Sequence, residues 1–245
     1  MNDATQARST SPLVDPQFTR DSKGLDHFST GITALDSALG GGIPARAGVV
    51  VKFPAASPGE RLGYALATEP DHQTLYATTA PNTALLQGNL GWEQNQRPGD
   101  GDLPAHPVSL APDGDDKNWS ALLESPTDCL PMFSEASIVV DSLTDYPTDS
   151  LRDALANFLT FVRETNCIAY LLIHDSDLPE HQERARITAD VADIVVEYQP
   201  AETTEGNDAL HIPKLRHPLP HADSLPITLG LDIDRRMSGA SGESF

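Results

Sequence analysis

Eight consecutive residues, Cys167 to His174, read CIAYLLIH. A run this apolar fits a strand covered on both faces, because a half-buried strand alternates apolar with polar residues. Covering both faces takes helices above and below a sheet, which predicts a layered α/β domain. Shorter runs repeat the signal at Val49 to Lys52, Thr74 to Thr79, Ser137 to Asp141 and Asp193 to Tyr198. Helical spacing fills the intervals, as in Ile32, Leu35 and Leu39, and again in Leu151, Leu155, Phe158, Leu159 and Val162. Further helices are predicted over 59–68, 82–90 and 119–123, and a partial one over 179–190. Gly40, Gly41 and Gly42 end the first helix, and Pro44 stops it restarting. His106 to Leu110 reads as a brief strand. Gly91 to Pro107 reads as a loop, Asp113 to Asp116 as an acidic turn and Glu202 to Asp208 as a polar turn. Leu210 to Leu215 and Leu225 to Ile233 then follow each other as strands. That order predicts a mainly parallel sheet with antiparallel C-terminal strands. One domain is expected over 28–235, between disordered tails at 1–27 and 236–245.

The stretch from Gly48 to Leu66, GVVVKFPAASPGERLGYAL, has the strand–loop–helix order in which a G-x-x-x-x-G-K-[ST] phosphate loop sits. Such a loop points backbone N–H groups at the phosphates, adds a Lys, and holds magnesium with a hydroxyl. Laid on that pattern, Phe53 takes the first Gly position and Pro58 the second. Gly59 takes the Lys position and Glu60 the hydroxyl position, with Pro54, Ala55, Ala56 and Ser57 between. Pro58 has no N–H to donate and a fixed φ. Phe53 cannot adopt the positive φ of a Gly without strain. Glu60 brings negative charge to where a polyphosphate would lie. Arg61 is the nearest cation, one residue late. The loop is therefore vestigial as a nucleotide site, with ATP and magnesium disfavoured, and no cofactor or metal is expected.

The formal net charge is -20, from 36 acidic and 16 basic residues, and Lys23, Lys52, Lys117 and Lys214 are the only lysines. An acidic, Lys-poor surface resembles the proteome style of salt-in halophiles. It repels nucleic acid at low salt, although molar salt shortens the Debye length to ~3 Å. Cys129 and Cys167 form no metal or redox motif, which fits a reduced, cytoplasmic protein. No apolar run approaches the ~18 residues of a membrane span. The segment MNDATQARSTSP has no signal-peptide core.

The segment STGITALDSALGGGIPARAGVVV resembles the opening of a KaiC-type domain of the RecA ATPase superfamily. The match is carried by Thr30, Gly31, Ile32, Leu35, Asp36, Leu39, Gly40, Gly41, Gly42, Ile43 and Pro44. IVVDSLT resembles that family's Walker B strand and puts Asp141 where the family has its magnesium-associated carboxylate. ADIVVEY and HIPKLR resemble its late strands. The resemblance implies a RecA-like P-loop NTPase fold. It also implies that Lys214 and Arg216 match a K-x-R pair that reaches a neighbouring copy's nucleotide in ring-forming relatives. Period two alone places those two cations on one solvated strand face. If the contact between copies persists, Glu60 of one copy meets Arg216 of the next. Where the family carries acidic residues after the second strand, this chain has Ala80 and Pro81, and neither accepts a proton.

These departures point to a degenerate, non-catalytic relative acting as a regulatory or scaffolding protein for a protein partner, in signalling or transcriptional control. A homo-oligomer is compatible with this. The alternative is an ATP-binding, recombination- or signalling-related ATPase using Arg61 and Asp141 in an altered site. A third class is a nucleic-acid-binding accessory protein. Other groupings carry less. Asp141, Asp145 and Asp149 read as solvated. His211, His217 and His221 lie in a proline-stiffened segment and lack the closed four-ligand set of a zinc site. Ser142, His174 and Asp175 lie at strand ends, but no G-x-S-x-G elbow accompanies them.

Overall fold

The computed structural model describes residues 27–55, 57–68, 72–78, 83–95, 105–109, 117–130, 133–201, 207–216 and 226–231. It opens with β1 (His27–Phe28), α1 (Thr33–Ala38) and β2 (Ile43–Pro44), the two strands pairing antiparallel. The sheet strands follow as β3 (Gly48–Pro54), β4 (Thr74–Thr78), β5 (Ala105–Ser109), β6 (Ser137–Asp141), β7 (Ile168–Asp175), β8 (Ile194–Gln199), β9 (Asp208–Leu215) and β10 (Ile227–Leu231). Between them lie α2 (Glu60–Ala67), α3 (Thr83–Asn95), α4 (Lys117–Glu124), α5 (Pro126–Cys129), α6 (Thr148–Glu164) and α7 (Pro179–Val191).

The strands form one eight-stranded sheet in the order β10-β9-β8-β3-β7-β6-β4-β5. From β8 through β5 all neighbours are parallel, and β9 and β10 extend the sheet antiparallel. The chain is thus an α/β protein with a mostly parallel sheet and antiparallel C-terminal strands. Alternate residues of each strand feed different layers. Val50, Val140, Leu171 and Val195 pack with Leu155, Phe158 and Val162 of α6. Val49, Val51, Leu172 and Val196 pack with Leu35 of α1 and with Leu62 and Leu66 of α2. This double burial is why β7 carries no polar residue before His174.

The T-G-I-x-x-L-D and G-G-G-I-P residues have a structural task. Both oxygens of the Asp36 carboxylate are engaged. Oδ1 accepts from the Thr30 N–H at 2.9 Å and the Thr30 hydroxyl at 2.6 Å, and Oδ2 accepts from the Ser29 hydroxyl at 3.0 Å. This ties the loop before α1 to the helix itself. After α1 the chain turns through Gly40, Gly41 and Gly42, at φ of 77°, 124° and 121°. A Cβ on Gly42 would lie 2.3 Å from the Phe28 carbonyl oxygen, so the turn closes against β1 only with glycine.

Several boundaries differ from the sequence reading. His27, assigned to the tail, pairs with Pro44 in β1–β2. Phe53 and Pro54, assigned to the loop, belong to β3, because β7 continues the parallel ladder beside them to Asp175. Helix α3 runs on to Asn95 through Gly91, where the sequence pattern predicts the start of a loop. A single glycine costs a helix only about 1 kcal/mol, too little to end one held by packing. Asp113 to Asp116, residues 202–206, 1–26 and 232–245, with the tails and turns expected there, lie outside the described residues.

Candidate functional site

The carboxyl ends of β3, β7, β6 and β4 meet at one edge of the sheet. Phe53 stands beside His174, and Thr78 beside Asp141. The loop from Ala55 to Gly59 leaves this edge and enters α2. From Ser57 onward its donors are engaged locally. The Ser57 N–H bonds the Pro54 carbonyl at 3.2 Å, and the Gly59 N–H bonds the Ser57 hydroxyl at 3.2 Å. The N–H groups of Glu60, Arg61 and Leu62 bond the carbonyls of Ser57, Pro58 and Gly59 at 3.3, 3.0 and 3.0 Å. Pro58 has no N–H. From Ser57 to Leu62, then, every backbone donor that exists already has an acceptor between Pro54 and Gly59. An anion cradle needs those donors convergent on the ligand.

Sterics work in the same direction. Gly59 is right-handed helical, at φ −58° and ψ −26°, so it is not needed for an unusual backbone. A Cβ there would lie 2.5 Å from the Phe53 Cβ and 2.7 Å from the Tyr198 Cδ1. The position that holds Lys in a phosphate loop has no room for a side chain. Phe53 is buried, and its ring packs on that of His174 at 5.0 Å. Arg61 turns away from the loop. Its guanidinium lies 4.8 Å from the Trp92 ring centroid and 3.9 Å from Glu93 Oε2, tying α2 to α3. Glu60 is exposed in the first turn of α2, where negative charge suits the helix N-terminus.

Asp141 ends β6 with its carboxylate largely buried. Oδ2 accepts from the Tyr76 hydroxyl at 2.9 Å. Burial pushes the Asp141 carboxyl above its usual range. The Tyr76 hydrogen bond and the nearby His174 pull it back, and Glu60 adds to the rise. Burial likewise raises the Tyr76 phenol well above its ordinary value, and the Asp141 charge adds to that. Tyr64 packs near Tyr76, ring centroids 5.9 Å apart, and accepts from Asn89 Nδ2 at 3.3 Å. The sequence reading did not include Tyr76. The signal available was its place in TLYATT, on the same strand face as no other large polar group.

Ser142 is not brought together with a base. Its hydroxyl accepts from the Thr144 N–H at 3.1 Å and shares a hydrogen with the Thr144 hydroxyl at 2.5 Å, capping the turn that leads to α6. Asp175 is exposed at the end of β7, and Asp149 is exposed in the first turn of α6. His211 lies on β9 and bonds the Thr228 hydroxyl through Nδ1 at 3.2 Å. His217, His221, Ala56, Ala80 and Pro81 lie outside the described residues. Among the described residues, no group of three or more His, Cys, Asp or Glu is placed to hold a metal ion.

Lys214 and Arg216 have a further role that periodicity did not suggest. The Lys214 ammonium donates to the carbonyls of Ala189 and Asp190, and Arg216 Nη2 donates to the Asp190 carbonyl at 2.7 Å. These are the last carbonyls of α7, which has no basic residue of its own in its final turn. The pair supplies the positive charge that a helix C-terminus favours. Partial burial and then the neighbouring Arg216 lower the Lys214 pKa.

These features describe an α/β protein whose strand–loop–helix element is closed on itself. Over residues 27–238 the chain matches a family of unknown function (DUF7125), and it belongs to that family. No curated protein matches it. Among the described residues, no helix is long and apolar enough to cross a membrane.

Proposed function

We propose that the chain is a degenerate relative of KaiC- and RecA-type ATPases that does not turn over nucleotide and acts as a regulatory or scaffolding protein for a protein partner. Signal transduction or transcriptional control is the setting its resemblance suggests. The observation that carries the reading is the loop itself: from Ser57 to Leu62 its backbone donors are bonded to acceptors between Pro54 and Gly59. The missing side chain at Gly59, where Phe53 and Tyr198 fill the space, supports it. Phosphoryl transfer depends almost wholly on positioning and charge stabilisation, and this loop offers neither. The RecA-like assignment is supported by the mainly parallel sheet with antiparallel C-terminal strands, and by Asp141 at the end of β6 beside the loop.

The rival reading, an ATPase with an altered site, relies on Arg61 and Asp141. Arg61 is engaged with Trp92, and Asp141 with Tyr76. Steady-state phosphate release in molar KCl distinguishes the two. We expect a rate at background. Turnover that is abolished by Asp141→Ala would favour the rival.

A further inference from the structure

We draw no further inference here: the strongest candidate, the outward face of α3 where Leu85 and Trp92 stand exposed on either side of Gly88, is an apolar surface patch, and among the described residues nothing shows what covers it.

Discussion

At the scale of single residues, the candidate site depends on what Gly59, Asp141 and Tyr76 touch. Gly59 is glycine because Phe53 and Tyr198 leave its Cβ no space. A buried carboxyl is more consequential for stability. Burial raises the Asp141 pKa in the folded chain, so the native state holds that proton more tightly than the unfolded state does. The unfolded chain releases the proton first as pH rises. Stability therefore falls from the ordinary carboxylate range up to the raised folded value, then levels off. Asp141→Asn keeps an acceptor for Tyr76 and removes the charge. We expect its unfolding midpoint to lack this decline and to exceed that of the wild type above the window. Parallel stability-versus-pH curves for the two proteins would contradict the assignment.

At the scale of elements, α7 ends on cations supplied from the end of β9 and the residue that follows it. Replacing both Lys214 and Arg216 with Met removes the donors that cover the Ala189 and Asp190 carbonyls. Each such interaction at a helix terminus is worth about 0.3–1 kcal/mol at an exposed site and is weakened by salt. The double variant should unfold earlier by a matching amount in chemical denaturation, and by less in molar KCl. An unchanged transition would remove the capping role. Strands β3, β4, β6, β7 and β8 were legible in the sequence because each is a mainly apolar run buried on both faces, as in CIAYLLIH. The short β1–β2 pair was not, since two residues per strand carry no periodicity. The extension of β3 through Phe53 and Pro54 was also hidden. It is the β7 ladder beside them that holds those residues extended, and that is a tertiary fact. The missing N–H at Pro58 and the missing side chain at Gly59 were legible in the sequence. The destinations of Arg61, Lys214 and Arg216 were not, because long side chains choose partners that only the fold brings near.

At the scale of the whole molecule, a net charge of -20 imposes self-repulsion on the compact state. Surface pairs such as Arg152 with Asp190 and Arg186 with Glu183 offset it locally, and exposed pairs of this kind contribute little. Screening by salt should therefore govern stability more than any one pair does. Thermal unfolding should shift strongly upward between low and molar KCl. A midpoint flat across that range would show that the acidic surface carries no such cost.

The central claim is that the segment from Ser57 to Leu62, with its backbone donors already bonded and no room for a side chain at Gly59, does not hold a phosphate chain. Calorimetric titration of the protein with Mg-ATP in molar KCl tests this most directly. The predicted result is heat indistinguishable from dilution at every ratio. A saturable isotherm with one site per chain would contradict it.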